Sequence, residues 1–209
     1  MKKFRVGFDI DDVLISWYVR AHEACKLAGI TNGVEPTTWR PHDEYEIPVE
    51  DWLAVLETVT LDGSLYLNHG PDEDAVRALR SLIFDGHEVH LITARGSGSF
   101  SGHDRLIKRH TIRWLERYAV PYKTLSFTRQ KGARAKELRL DWFLDDNEDN
   151  FRDVSQALDY DSNVRIMGSQ SRSILLTRPW NQGVATFPDQ RVSSVQQYVD
   201  IIKEAANRE

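Results

Sequence analysis

Cysteine is nearly absent from this chain. Its 209 residues include one, Cys25, so no disulfide can close within it, and no cysteine spacing suggests a zinc site. That fits a reducing compartment and a cytoplasmic location. An excess of positive charge is also missing: 27 Lys and Arg stand against 32 Asp and Glu, for a net charge of −5. Long nucleic acid is therefore not an expected partner, because non-specific binding to a phosphate backbone would need a local basic patch. There is no long apolar run either. The N-terminal one follows Lys2 and Lys3 and is broken by Asp9, which suits neither a signal peptide nor a membrane span. Internal repeats and low-complexity tracts are missing as well. What remains is 41% hydrophobic and 28% charged residues, an ordinary soluble globular composition. The length suits one domain, or one domain with a small insert.

Apolar runs alternate with helical patterns, which predicts βα units and a parallel sheet. Strands are expected at 4–10, 87–93, 123–128 and 141–145, with 174–177 as the last. Between the first two, Val76, Leu79, Leu82 and Ile83 recur at helical spacing. Helices are also expected at 102–118, 132–140, 148–158 and 194–206, the last capped by Ser193 or Ser194. The stretch from Ser16 to Gly70 differs: a helix over 16–28, several Pro and Gly, helical pieces around 51–58 and no clear strand. We expect a helical insert at 16–70, with 1–15 and 71–209 forming the α/β core.

The segment FDIDDVL crowds Asp9, Asp11 and Asp12 onto the end of an apolar strand carrying Val6, Phe8 and Ile10. Like charges this close repel, and burying them costs several kcal/mol each in rough terms. Two other strands also end in reactive residues: Thr93, and the pair Asp145 and Asp146. Parallel strands present their C-terminal ends along one rim, where open α/β sheets bind ligands. Four carboxylates (Asp9, Asp11, Asp145, Asp146) and one hydroxyl are thus expected to converge. Carboxylates gathered in this way need a cation, and an oxygen-only set without His or Cys suits Mg²⁺ shared with a phosphate. A carboxylate beside the metal can attack phosphorus, and one two residues on can act as general acid and then base. A positive side chain must steady the phosphate oxygens. Lys131 is the candidate; Lys136 competes but suits a solvated helix surface.

With these motifs in order, the chain resembles the haloacid dehalogenase-like superfamily of phosphotransferases. FDIDDVL is similar to its first motif, LITAR to its second, Lys131 (fourteen residues before Asp145) to its third, and FLDD to its fourth. The resemblance implies a Rossmann-like parallel sheet flanked by helices, with a small helical cap inserted after the first strand. It implies Asp9 as nucleophile and Mg²⁺ ligand, and Asp11 as general acid/base that also meets the metal through its carbonyl. Thr93, with the adjoining Ala94, would bind the phosphate, Lys131 would steady it, and Asp145 and Asp146 would ligate the metal. Asp12 takes a position that is often Gly in the superfamily; in a strand it would point away from Asp9 and Asp11 and serve structure. The opening DIDDVL, the TAR motif leading to WLERYAVPY, and ILLTRPWNQG with Trp180 and Asn181 resemble the 5′(3′)-deoxyribonucleotidase family. That resemblance implies a small phosphomonoester, a nucleotide, as substrate.

Other readings stand beside these. Trp17, Tyr18, Trp39, Tyr45, Trp52 and Tyr66 suit a cap core, although a nucleotide pocket also needs flat apolar faces; Trp39 is the candidate for the pocket. Arg95 could reach a phosphate or make a surface salt bridge. His87 and His90 suit structural roles. The stretch GSGSFSG (96–102) could gate the pocket or simply connect, and the basic residues of 108–117 suit a solvated face. Residues 159–173 match no pattern. A sugar phosphate, another metabolite phosphate or a nucleic-acid end phosphate remains an alternative substrate. So do a haloacid dehalogenase and a non-catalytic binding module. Oligomeric state is left open.

Overall fold

A computed structural model describes residues 2–98, 100, 102–159 and 173–208. Six strands form one parallel sheet. They are β1 (Arg5–Phe8), β2 (Glu88–Thr93), β3 (Thr124–Phe127), β4 (Trp142–Asp145), β5 (Ser173–Leu176) and β6 (Arg191–Val192). Their spatial order is β3-β2-β1-β4-β5-β6. The first strand is therefore central, flanked by β2 and β4, with Val6 beside Val89 on one side and Trp142 on the other. The 174–177 strand is not the last: β6 adds an edge of two residues.

Alternation along the strands sorts the core onto the two faces of the sheet. Val6, Phe8, Leu91 and Leu144 pack on one face with Leu79, Val199 and Ile202. The last three come from α5 (Glu73–Phe84) and α9 (Val195–Arg208). Ile92 and Phe143 face the other way, against Ala135 and Val154, on α7 (Lys131–Glu137) and α8 (Glu148–Asp159). Burying each large apolar side chain contributes about 1.5–3 kcal/mol. Gly7 lies under the second face. A Cβ there would stand 2.4 Å from the Phe143 ring and 2.6 Å from Leu140, so only glycine lets that ring lie flat on β1. Helix starts follow local chemistry: Asp72 accepts the Ala75 N–H of α5 at 3.0 Å, and Ser194 accepts the Gln197 N–H of α9 at 3.1 Å.

Between β1 and α5 the described chain is helical and contains no named strand. It holds α1 (Trp17–Leu27), α2 (Pro41–Tyr45), α3 (Val49–Leu61) and α4 (Ser64–Leu67). It is bound to α6 (Asp104–Arg117) of the core by hydrogen bonds to its returning end. The Trp114 indole donates to the His69 carbonyl at 2.8 Å, and Arg117 donates to Leu67 at 3.2 Å. No described helix is long and apolar enough to cross a membrane. The unplaced sequence 159–173 falls outside the described residues except at its two ends.

Candidate active site

Because β1 lies between β2 and β4, their C-terminal ends bring Asp9, Thr93 and Asp145 to one rim. Asp9 follows β1 directly, and its N–H donates to the Leu144 carbonyl at 3.0 Å, so it is held in line with β4. Asp145 ends β4 and is wholly buried. Asp146 follows it. One carboxylate oxygen from each of Asp9, Asp145 and Asp146 lies within 4.8 Å of the others.

Lys131 enters from α7, of which it is the first residue rather than the one before it. Its ammonium lies 2.9 Å from Asp9 Oδ1 and 2.7 Å from Asp145 Oδ2. Lys136 is exposed. Burial works against the charge on Lys131, but Asp145 and Asp9 outweigh it and raise its pKa, so it stays protonated. One cation does not balance three carboxylates. Burial pushes Asp9 up to about 7; Lys131 pulls it down, and Asp145 and Asp11 push it further up. Burial, then Asp145, raises Asp146 well above its ordinary value. The cluster therefore takes up protons where a divalent ion would otherwise supply charge. All its donors are oxygens, so the residues fit Mg²⁺. Asp9, Asp145 and Asp146 would hold it, and it would supply Lewis-acid charge to a bound oxygen.

The supporting contacts are specific. Asp145 Oδ1 accepts the Asn147 N–H at 2.9 Å and the Asn150 amide at 3.2 Å. Asp146 Oδ2 accepts the Trp180 indole N–H at 3.0 Å, and its carbonyl accepts from Asn181 at 2.7 Å. Trp180 and Asn181 stood out in the sequence. Asn147 and Asn150 did not, though an Asn two residues beyond a strand-end Asp is a local turn signal. Thr93 is wholly buried, and its hydroxyl oxygen accepts the Arg95 N–H at 3.2 Å.

Asp12 is not in a strand. It sits in a turn with φ of +54°, the left-handed region that glycine enters most easily. This is the physical reason a glycine would suit the position. Its carboxylate accepts the Tyr18 N–H at 3.0 Å, near the start of α1, and its carbonyl accepts from Arg178 at 2.8 Å. Burial raises its pKa to about 8, against the pull of the Tyr18 N–H. No local pattern marks Arg178, which lies 166 residues along the chain from Asp12.

Arg95 is neither exposed nor a free arm. It is 5% exposed and grips the Asp11 carboxylate. Asp11 therefore stands apart from the three-carboxylate cluster, turned to Arg95. Beside it is a cavity of about 300 Å³, lined by Asp11, Ala94, Arg95 and Arg129, with Trp17 and Tyr66 also in its lining. Trp39 is not among its lining residues, contrary to expectation. It packs against Trp180 and Tyr18, with ring centroids 5.0 and 5.7 Å away. This stack bridges the helical insert to the Asp146 side of the rim, and exposed loop context gave no sign of it. Of the 96–102 stretch, Gly96 and Phe100 line the cavity, while Ser99 and Ser101 lie outside the described residues. Gly96 has φ of +57°, and a Cβ would meet the Asp104 carbonyl at 2.7 Å.

The parallel sheet, flanking helices and rim of acidic residues define a fold of the haloacid dehalogenase-like type. Solved structures share it. A protein from Thermotoga maritima described as a β-phosphoglucomutase superposes with a TM-score of 0.57 at 13% identity, covering 96% of this chain and 99% of that one. The L-2-haloacid dehalogenase of Xanthobacter autotrophicus superposes with a TM-score of 0.52 at 13% identity, covering 97% and 99%. A subfamily IA HAD-superfamily hydrolase from Geobacter sulfurreducens gives a TM-score of 0.50 at 11% identity, covering 96% and 100%. No protein-family model and no curated protein sequence matches the chain.

Proposed function

We propose that this protein is a Mg²⁺-dependent phosphomonoester hydrolase working through an aspartyl-phosphate at Asp9, with nucleoside monophosphates as substrates. The observation that carries this reading is the gathering of Asp9, Asp145 and Asp146 within 4.8 Å of one another, with Lys131 between Asp9 and Asp145. Lys131 takes charge from the transferring phosphoryl group, and the Thr93 hydroxyl offers it a hydrogen bond. An Asp9 oxygen attacks phosphorus as the ester oxygen leaves, and Asp11 gives that oxygen a proton. Asp11 then takes a proton from the water that attacks the phosphoenzyme, which releases phosphate and restores Asp9. A dehalogenase would also use Asp9 as its nucleophile, but it has no need for a second carboxylate at Asp11 or for a metal held by the trio.

The segment 16–70 acts as the cap, and its Trp17 and Tyr66 face the cavity beside Asp11. A cavity of about 300 Å³ with mostly apolar walls and two arginines in its lining suits a flat base and a sugar better than a polyhydroxylated sugar alone. The test is a panel of ribo- and deoxyribonucleoside monophosphates and sugar phosphates, assayed with Mg²⁺ and with chelator, using Asp9→Asn as control. Metal-dependent release of phosphate from the nucleotides, absent in the variant, is the expected result. Faster turnover of sugar phosphates would move the substrate to that class. No turnover above the control under any metal would leave a binding module.

A further inference from the structure

We infer that Arg95 is the positioning residue for Asp11, and that through Tyr66 it ties that carboxylate to the helical insert; this rests on the phosphatase reading above. Arg95 Nε lies 3.0 and 2.9 Å from the two Asp11 oxygens, and Nη2 also donates to Oδ1. This fork fixes both the plane and the rotamer of the carboxylate, which a lysine ammonium cannot do. The arginine is itself held at three points. Its N–H is bonded to the Thr93 hydroxyl at the end of β2. Its guanidinium carbon lies 4.0 Å from the centre of the Tyr66 ring and 5.9 Å from that of Trp114. Tyr66 belongs to α4, where the chain returns from the insert, and Trp114 belongs to α6.

Arg95 does not serve as a substrate arm in this geometry. The fork edge is spent on Asp11, and Nη1 is out of contact with solvent and has no hydrogen-bond partner among the described residues. The Arg95 side chain is 2% exposed and that of Asp11 is 24% exposed, so the acid faces the cavity while its holder stays behind it. A carboxylate on a loop has several rotamers, and proton transfer needs one of them within hydrogen-bond reach of the leaving oxygen. Arg95 selects that rotamer, and the ring of Tyr66 makes the selection depend on the seating of the insert.

The test compares two substrates in Arg95→Met, Arg95→Lys, Asp11→Asn and the double variant. One is p-nitrophenyl phosphate, whose leaving group departs without a proton; the other is a nucleoside 5′-monophosphate, whose alkoxide needs one. Arg95→Met should lower kcat on the nucleotide on the order of 100-fold, with a smaller loss on the aryl ester and KM nearly unchanged. Arg95→Lys should fall between wild type and Met. In the Asp11→Asn background, Arg95→Met should add no further loss. A rise in KM at unchanged kcat, or a full additional loss in the double variant, would overturn the proposal. Should Arg95→Met fail to fold by circular dichroism, Arg95→Lys and Tyr66→Leu carry the same comparison: losses confined to the nucleotide and silent in Asp11→Asn support it, and equal losses on both substrates refute it. Wild-type protein that turns over neither substrate with Mg²⁺ overturns the phosphatase reading and this proposal together. Wild-type turnover with full additivity overturns this proposal alone.

Discussion

Replacing Asp9 with Asn should make the metal-free protein more stable, and the gain should grow with pH. Folding raises the Asp9 carboxyl from 3.8 to about 7, so the folded state holds this proton more tightly than the unfolded chain. Its contribution is fully present below 3.8, is lost as pH rises, and levels off above about 7. A shift of about three pH units at about 1.4 kcal/mol each gives roughly 4 kcal/mol as the ceiling. That figure already includes the pull of Lys131, and Asp9 is buried, so solvent screening takes little from it. Asn is neutral at every pH and escapes the loss. Wild type and variant should therefore match near pH 4 without metal. Near pH 8 the variant should be more stable by about 2–4 kcal/mol, which for a chain of this length is on the order of 10 °C in Tm. Urea denaturation with chelator at the two pH values measures it. Added Mg²⁺ should close the gap near pH 8 by stabilising the wild type alone. A variant equal to or less stable than wild type near pH 8 in chelator would refute the account of Asp9 as a carboxylate destabilised by its neighbours.

Lys131→Met should cost about 3–5 kcal/mol near pH 8 without metal, because it leaves two buried carboxylates without their cation; urea denaturation reads this, and phosphatase activity should vanish with it. Trp180→Phe removes the N–H given to Asp146 Oδ2 and should raise the half-saturating Mg²⁺ concentration by about 10-fold or more, measured by metal titration of activity. Gly7→Ala places a Cβ against Phe143 and should destabilise by about 1–3 kcal/mol at any metal concentration, with turnover per folded molecule preserved.

Where local physics decided the outcome, the sequence was readable. The alternation of Val6, Phe8 and Ile10, all buried, announced β1, and carboxylates at the ends of apolar runs announced the rim. Lys131 could be placed because a helix must follow β3 and start near that edge. What could not be read depends on contacts between distant segments. Arg95 and Asp11 are 84 residues apart, and nothing near Arg95 says whether its charge meets a carboxylate, a phosphate or water. Trp39 was assigned to the pocket because an aromatic in a Pro-flanked loop has no visible partner in sequence, whereas Trp180 and Tyr18 reach it in space. The edge strand β6 has two residues, too few for any alternation to show. Asp12 was misplaced in a strand because its side chain gives no hint that its backbone turns left-handed.

The most direct measurement is the fate of Asp9 during turnover. Protein mixed with a nucleoside monophosphate and Mg²⁺, quenched in acid and reduced with borohydride, should yield a peptide with homoserine at position 9, the reduction product of an aspartyl-phosphate. Chelator or Asp9→Asn should abolish it. Brisk Mg²⁺-dependent hydrolysis with Asp9 unmodified throughout, or homoserine formed at another aspartate, would contradict the assignment of Asp9 as the residue that takes up phosphorus.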